Sequence, residues 1–389
     1  MLEDKRRNPV LATLLVLLLL AQLGLPFLRF APNRLVSGKA VYFSSIAHGA
    51  IWLLLAVLCV AVLVALFKPI RLWLGLVLAI SAALIPGMLW LTASHATFTV
   101  QGAVSIARTS FGSAFWLGVV LLGFMASSAL QQLRANARQR AVVGAAVLLA
   151  LAALLASGVC IDLSLIKEYT NRADDFVQVF ARHVQIVLLS MASTVCIGLP
   201  LGWLAHTNAK TRRALLPVLN VIQTVPSIAL FGLLMAPLAV LAASLPALGR
   251  AGISGVGLAP AVIALTLYGL LPVVRSVLAG LQQVSTSMRS AATALGLTPS
   301  QALVYIELPL ALPILLGGLR TAAVACVGLA AVTALIGAGG LGSILFEGLF
   351  SNAQDVVLLG VLPIIALGLL VDTLFKGLIG LARKRAQLC

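Results

Sequence analysis

The sequence predicts an all-α, polytopic membrane protein with about ten transmembrane helices, and two observations carry that prediction. Of its 389 residues, 61% are hydrophobic and 9% are charged, and the mean hydropathy is +1.13. Soluble domains carry about 25% charged residues, so this chain has too few polar groups to cover a surface in water. In addition, apolar runs of roughly 20 residues, the length that a membrane helix needs, recur along the chain.

The predicted spans form two groups, one on each side of Cys160. The first group is Val10–Leu28, His48–Phe67, Leu72–Leu91, Ala114–Leu130 and Ala141–Val159. The second group is Val184–Leu204, Ala214–Ala243, Ala261–Leu281, Leu310–Ile336 and Val356–Phe375. The domains expected from this pattern are an N-terminal membrane region (1–160), a partly helical periplasmic connector (161–182), a membrane core (183–380) and a cytoplasmic tail (381–389). A plain solvated loop is an equal alternative for the connector, and a packing role is the default for the first five spans.

The net charge of +16 is better explained by membrane topology than by nucleic-acid binding. Cytoplasmic loops of membrane proteins carry an excess of Lys and Arg. With the N-terminus inside, most basic residues fall in inner loops, among them Arg6, Arg138 and Arg213, and most acidic residues fall outside. The sequence therefore predicts that both termini are cytoplasmic.

The sequence offers no catalytic residues and no metal site. It has no G-x-x-x-x-G-K-[ST] phosphate loop, no H-E-x-x-H and no G-x-S-x-G motif. The five Cys are scattered and fall mostly within apolar runs, which is typical of small core residues. The four His lie at or near span ends, where a side chain that reaches the interface is the simpler reading. We therefore expect no enzyme activity and no cofactor in this chain.

The segment Ser285–Pro309, after the eighth span, predicts two short capped helices joined at an elbow. Ser285 or Thr286 is placed to cap the first helix, and Gly296 is placed to end it in the left-handed conformation. Thr298 begins a Thr-x-x-Gln capping box with proline at the first helical position, and Pro309 is expected to stop the second helix. We interpret the segment as a rigid cytoplasmic knob; an amphipathic hairpin that rests on the membrane is the alternative.

Pro226 interrupts the seventh predicted span, so the helix must kink or unwind there. Backbone carbonyls freed at membrane depth are tolerated only against protein or water. We therefore expect nearby polar residues to line a translocation cavity at the break; these are Asn220, Gln223, Thr224 and Ser227. The alternative is that they hold helices together through side-chain hydrogen bonds.

Glycines interrupt the outer end of the ninth span, where each costs up to about 1 kcal/mol in a helix relative to alanine. The residues are Gly337, Gly339, Gly340 and Gly342. We interpret them as a gate or hinge that leads into an outer segment with Glu347 and Asp355; a passive loop is the alternative.

Three ionisable residues fall within or beside spans and need a partner or a wet cavity. Arg320 lies well inside the ninth span, Arg275 lies in the eighth, and Asp372 lies near the cytoplasmic end of the tenth. By depth, Arg275 and Asp372 form a possible pair, although long side chains near span ends also reach the headgroups unaided.

The knob segment resembles the EAA loop of ABC importer permeases, E-A-A-x-x-x-G-x(9)-I-x-L-P. The motif positions hold Ser290, Ala291, Ala292, Gly296, Ile306, Leu308 and Pro309, with Ser290 where the family usually has Glu. The resemblance implies that these residues, together with Leu297, form the loop that couples to the ATPase. The stretches 220–230 and 334–342 are similar to pore motifs of the glycine betaine and osmoprotectant branch. The long architecture, with the phrase at 31–38, resembles the YehY-type permeases, which have extra N-terminal helices ahead of a type I permease core.

The resemblance implies a permease subunit that imports a small osmolyte, such as glycine betaine, by alternating access. The implied partners are a second permease subunit, two ATP-binding subunits that hold ATP and Mg²⁺, and a periplasmic solute-binding protein, in the bacterial inner membrane. With 6% aromatic residues and none clustered in the pore motifs, recognition is expected to lie with the binding protein. The alternatives are an ion-gradient-driven secondary transporter, an ABC permease for another polar solute such as an amino acid, and a scaffold without a pore.

Overall fold

A computed structural model of the chain describes residues 9–33, 38–67, 70–101, 107–250 and 252–386. The basic N-terminus, residues 34–37 of the stretch 31–38, and the tail beyond 386 lie outside the described residues. The chain divides into two compact units, Met1–Asn171 and Arg172–Cys389. This division falls within the segment 161–182, in which helices begin at Ser164 and Ala173.

The first unit combines membrane-length helices with a small sheet. Its elements are α1 (Pro9–Gly24), β1 (Pro26–Ala31), β2 (Lys39–Tyr42), α2 (Phe43–Ile46), α3 (Gly49–Phe67), α4 (Arg71–Gln101), β3 (Arg108–Phe111), α5 (Ser113–Gln132), α6 (Ala137–Ala156) and α7 (Ser164–Thr170). The strands are antiparallel in the order β2-β1-β3.

The sheet corrects the prediction of a first span from Val10 to Leu28. The helix ends at Gly24, and Leu28 lies in β1 between Val41 of β2 and Phe111 of β3. At 16 residues, α1 is about 24 Å long, which is short for a bilayer core of about 30 Å. The prediction failed because the apolar run continues across Pro26, where the helix gives way to a strand.

A close backbone approach and an aromatic cluster hold the sheet against α5. Gly112 donates its N–H to Phe27 O over 2.8 Å, and a Cβ at Gly112 would collide with the Pro26 carbonyl. The Phe27 ring packs edge-on against Phe43 with centroids 5.1 Å apart, and against Phe115 at 5.9 Å. These contacts bury Phe27 completely and make it part of the core of the first unit.

The second unit carries the segments that the sequence marks as functional. Its elements are α8 (Ala173–Thr207), α9 (Ala209–Thr224), α10 (Ser227–Ser244), α11 (Pro246–Arg250), α12 (Leu258–Gln282), α13 (Thr286–Ala294), α14 (Pro299–Ala302), α15 (Leu308–Leu329), α16 (Leu341–Phe350) and α17 (Gln354–Ala386). A π-helical turn (Leu303–Glu307) precedes α15, and a 3₁₀ turn (Val332–Ile336) follows it.

Among the described residues, nine helices are long and apolar enough to cross a membrane. Four lie in the first unit: α3, α4, α5 and α6. Five lie in the second: α8, α10, α12, the run Pro299–Leu329 and α17. With the shorter α1, they account for the predicted polytopic architecture.

Glycines allow α8 and α12 to pack closely. A Cβ on Gly202 would lie 2.6 Å from Val277 Cβ, and a Cβ on Gly198 would lie 2.9 Å from Val273 Cγ1. The spacing of Gly198 and Gly202 is the G-x-x-x-G pattern that lets membrane helices approach. Since α12 is also the most buried span, it forms the centre of the second unit.

The prediction that Pro309 stops a helix is wrong. Residues Pro299–Leu329 form one continuous helical run, and Pro309 lies in its interior. Proline has no N–H to give to the carbonyl four residues before it. The preceding turn widens instead, and Leu308 donates its N–H to Leu303 O, five residues back. The second helix of the knob is therefore the first part of a membrane span.

Candidate functional site

The loop from Ser285 to Pro309 begins with a capped helix. Ser285 Oγ accepts the N–H of Met288 over 3.3 Å, which identifies Ser285 as the N-cap of α13. Gly296 ends α13 with φ of +78°. It donates to Thr293 O over 3.0 Å, and Leu297 donates to Ala292 O over 3.1 Å. This pair of bonds is the Schellman motif, which closes a helix C-terminus without help from outside.

The next helix starts with the predicted capping box. Thr298 Oγ1 accepts the N–H of Gln301 over 3.3 Å, and Gln301 Oε1 accepts the N–H of Thr298 over 2.8 Å. Pro299 occupies the first helical position, where its missing N–H has no cost. The predicted caps of both helices are thus confirmed, and only the end point at Pro309 is not.

An ion pair joins the two arms of the loop. Arg289 Nε on α13 lies 2.8 Å from Glu307 Oε1 on the π turn. Arg289 Nη2 also donates to Leu281 O, near the end of α12, over 3.0 Å. Ser290, which stands where the resembling family has Glu, has no carboxylate for a salt bridge. The structure places an ion pair on the neighbouring Arg289 instead, so the loop is fixed to α12 and α15.

The loop exposes apolar side chains on its outer surface. Leu295 is 80% exposed, and Met288, Val304 and Tyr305 are also exposed. Of the residues that carry the resemblance, Ala292 is buried, Leu297, Ile306 and Pro309 are partly buried, and Ser290, Ala291, Gly296 and Leu308 are exposed. Exposed apolar groups on a rigid loop are typical of a surface that a partner covers.

The helix break lies where the sequence predicts it. α9 ends at Thr224, α10 begins at Ser227, and Pro226 between them has an extended ψ of 136°. The hydroxyl of Tyr268 on α12 donates to the carbonyl of Val225, which lies in the gap. A donor from another helix therefore satisfies a carbonyl that the break leaves free.

A second hydrogen bond joins the break to α12, this time with its donor on α9. Gln223 Nε2 donates to the carbonyl of Tyr268 over 2.6 Å. That carbonyl has no helical donor, because residue 272, four positions later, is proline. The helix break leaves the Val225 carbonyl free and Pro272 leaves the Tyr268 carbonyl free, and the facing helix supplies a side-chain donor for each.

A cavity of about 240 Å³ adjoins these bonds. Its polar lining comes from Gln223, Tyr268, Arg275 and Thr321, and its apolar lining includes Leu265, Ala325, Cys326 and Leu329. Of the five residues predicted at the break, Gln223 lines this cavity. Asn220 contacts its wall, because Asn220 Oδ1 accepts from Arg275 Nη2 over 2.7 Å.

The other predicted residues at the break have local roles. The hydroxyl of Thr224 donates to Val221 O of its own helix over 2.7 Å. Pro226 forms the N-cap of α10, and its carbonyl accepts the N–H of Leu230 over 3.0 Å. Ser227 is the first residue of α10.

The glycine segment 337–342 forms a turn that packs closely at two of its residues. Gly337, Gly339 and Gly340 have φ between 77° and 82°, a range that favours glycine. A Cβ on Gly340 would lie 3.1 Å from His183 Cα, and one on Gly342 would collide with the Ala331 carbonyl. The turn therefore has no space for a Cβ at Gly340 or Gly342, whereas Gly337 and Gly339 are set by their positive φ rather than by crowding.

Residues at the start of α8 hold this turn. Arg182 Nε donates to Ala338 O over 2.9 Å, and His183 Nε2 lies 3.2 Å from Val327 O. His183 is fully buried, so the expectation that it reaches the membrane interface is wrong; the backbone of α15 provides its polar partner. At the N-terminus of α8, Arg172 makes a bidentate pair with Glu347 at 2.7 and 2.6 Å.

The predicted pair between Arg275 and Asp372 does not form. Asp372 Oδ1 lies 2.5 Å from Arg320 Nη2, and its Oδ2 lies 2.7 Å from Lys376 Nζ. Similar depth in the membrane was the basis of the prediction, but α17 packs against α15, so Arg320 lies closer to Asp372. Arg275 contacts Asn220 instead.

Sequence reasoning missed Tyr268, Arg289 and Glu307. The Tyr268 carbonyl had a signal, since Pro272 inside the predicted span frees it for another donor, but the bond from the Tyr268 hydroxyl to Val225 had none. Arg289 and Glu307 had none, because their pairing depends on how the two arms of the loop fold back.

Two family profiles match separate parts of the chain. The family described as ABC transporter permease YehY, N-terminal domain, matches residues 6–166. The family described as binding-protein-dependent transport system inner membrane component matches residues 195–383.

Individual proteins are similar to about half of the chain. The osmoprotectant import permease protein OsmW of Salmonella typhimurium is 37% identical over 197 residues, covering 51% of this chain and 86% of that protein. The glycine betaine/carnitine/choline transport system permease protein OpuCD of Bacillus subtilis is 31% identical over 207 residues, covering 52% and 82%. A solved chain of the MetNI methionine ABC transporter is 24% identical with a TM-score of 0.47, covering 53% and 95%.

Proposed function

The chain belongs to the permeases of binding-protein-dependent ABC importers, and on that premise we propose that it carries glycine betaine or a related quaternary amine into the cytoplasm. The printed names of similar permeases, which include osmoprotectant and glycine betaine, support this substrate class. Because this family is ATP-driven and transports solutes, its membership argues against an ion-gradient-driven transporter and against a scaffold without a pore.

The observation that carries the proposal is the self-closed loop Ser285–Pro309. Its caps and the Arg289–Glu307 pair hold its shape, while Leu295 and its apolar neighbours are exposed. A separate ATPase subunit that covers these side chains would bury apolar area worth about 1.5 to 3 kcal/mol for a leucine alone. The loop is the part of this chain on which such a motor would act.

Motion of the loop would reach the cavity through two helices. Arg289 connects the loop to Leu281 of α12, and Glu307 lies at the base of α15. The cavity residues Tyr268 and Thr321 lie on these same two helices. Closure of the ATPases would therefore shift the cavity walls between two packings, which alternating access requires.

The proposed assembly contains two permease subunits, identical or different, two ATP-binding subunits and a periplasmic solute-binding protein. ATP and Mg²⁺ bind to the ATPase, and this chain provides the path. We place it in the bacterial inner membrane with both termini in the cytoplasm, so that the loop is inside. The glycine turn 337–342 then lies on the outer side, as a gate beside the docked binding protein.

Leu295→Asp tests the docking role of the loop. A carboxylate placed in an apolar contact is desolvated, whereas on the free permease it remains in water. We expect co-purification of the ATPase subunit and ATP-driven uptake of glycine betaine in vesicles to fall roughly tenfold or more. The thermal stability of the purified permease should stay unchanged, because Leu295 is 80% exposed.

Gln131→Asp is the matched control, since it adds the same charge at an exposed position in the first unit, outside the loop. It should keep both the ATPase and the uptake. Wild-type co-purification by Leu295→Asp would overturn the docking role. An assembled, ATP-hydrolysing wild type that transports no quaternary amine would overturn the substrate class.

A further inference from the structure

The cations within the spans of the second unit differ in their partners. Arg320 and Lys376 both contact the carboxylate of Asp372. Arg275 donates to an amide oxygen, that of Asn220, over 2.7 Å. Within the described part of the chain, no acidic side chain forms an ion pair with Arg275.

The position of Arg275 makes this difference important. Measured along the axis of α12, Arg275 lies about 10 Å before the helix ends at Gln282, since each residue adds about 1.5 Å. A cation at such depth normally pairs with another group or faces a water-filled cavity. Arg275 lines the cavity beside Gln223 and Tyr268 and is exposed, so the donors that Asn220 does not use are accessible from the cavity.

The chemistry of the cavity fits a small zwitterion that carries a carboxylate and a quaternary ammonium group. A guanidinium has five N–H donors in a planar fork that matches a carboxylate, and Asn220 uses one of them. The cavity, at about 240 Å³, is below the range of roughly 300 to 1,000 Å³ that drug-sized ligands occupy. Its remaining lining is apolar apart from Gln223, Thr321 and the ring of Tyr268, whose face attracts quaternary ammonium groups.

We propose that Arg275, oriented by Asn220, binds the carboxylate of the transported solute, so that the permease itself selects zwitterions that carry a carboxylate. This inference rests on the proposed function, because it takes the cavity to lie on the transport path. It adds a recognition step in the membrane to the one expected at the binding protein. The ammonium end of the solute lies against Tyr268 and the apolar wall.

The test uses the complete importer, with ATPase and binding protein, in vesicles supplied with ATP and radiolabelled glycine betaine. Arg275→Gln removes the guanidinium and should lower uptake at limiting solute roughly 10- to 100-fold, while Arg275→Lys should retain an intermediate rate. Stimulation of ATP hydrolysis by the loaded binding protein should persist, because the loop and the outer turn are unaltered. Arg138→Gln, in the first unit, is the control and should behave as wild type.

Asn220→Asp separates a solute site from a structural role. The new carboxylate pairs with Arg275 and competes with the solute, so we expect a comparable loss of uptake with thermal stability unchanged or raised. If Arg275 only needed a partner, Asn220→Asp would transport at the wild-type rate, and the inference would be overturned. Wild-type uptake by Arg275→Gln would also overturn it, as would a defect confined to vesicles with anionic lipid, which would identify a headgroup as the partner. A wild type without any uptake would instead contradict the proposed function.

Discussion

The loop Ser285–Pro309 and the helix break at Val225–Pro226 both contain prolines, but they are stabilised in different ways. The loop closes mainly through bonds between its own residues, from the Ser285 cap to the Arg289–Glu307 pair, with one further bond from Arg289 to Leu281 O of α12. The break closes through α12, which supplies the Tyr268 hydroxyl and receives the Gln223 amide. A self-closed loop keeps its shape when it is moved, whereas the break changes whenever α9 and α12 shift. The loop is therefore suited to receive force, and the break is suited to respond to it.

Of the changes that test this difference between the loop and the break, charge reversal in the loop should lower the free energy of unfolding most. Glu307→Arg places a second cation where Arg289 Nε now lies 2.8 Å from a carboxylate. Breaking a buried pair costs about 3 to 5 kcal/mol, and we expect about 2 kcal/mol here because the Arg289 side chain is 39% exposed. The measurement is thermal unfolding of the purified permease, together with ATP hydrolysis stimulated by the loaded binding protein.

The exchange Arg289→Glu with Glu307→Arg is the control for that reversal. It restores opposite charges, although the bond from Arg289 to Leu281 O is lost, so we expect at least half of the lost stability to return. A double variant as unstable as Glu307→Arg alone would show that the pair does not hold the loop.

Loss of the Tyr268 hydroxyl should give a smaller effect at the break. Tyr268→Phe leaves the Val225 carbonyl without its donor, and a buried carbonyl without a partner costs about 1 to 3 kcal/mol. We expect about 1 kcal/mol, since the break adjoins a cavity that water can enter, together with slower uptake of glycine betaine. Tyr305→Phe, at an exposed tyrosine of the loop, serves as the control for thermal stability. Equal unfolding temperatures for the two variants would contradict the role of Tyr268.

The same contrast explains what the sequence predicted and what it did not. The caps at Ser285, Gly296 and Thr298 were predictable because each involves residues within five positions of one another. The site of the break was predictable from Pro226 alone. The partners at the break were not, because Tyr268 lies 43 residues from Val225, and only the packing of α12 against α9 brings them together.

The errors in the predicted fold have a similar cause. The sequence predicts that Pro309 ends a helix, because it gives no sign of the π turn that compensates for the missing donor. The apolar run through Leu28 was read as one span, because composition does not distinguish a strand paired on both sides from a helix. Ion pairs between spans depend on helix rotation, so depth alone suggested Arg275 for Asp372 where the structure has Arg320.

Thiol labelling at Leu295 tests the central claim most directly. The variant Leu295→Cys, with the native cysteines replaced by alanine, is treated with a membrane-impermeant maleimide in inside-out and right-side-out vesicles. We expect labelling in inside-out vesicles, little in right-side-out vesicles, and protection when the ATPase subunit is assembled. Labelling from the outside, or equal labelling with and without the ATPase, would contradict the claim that a cytoplasmic motor holds this loop.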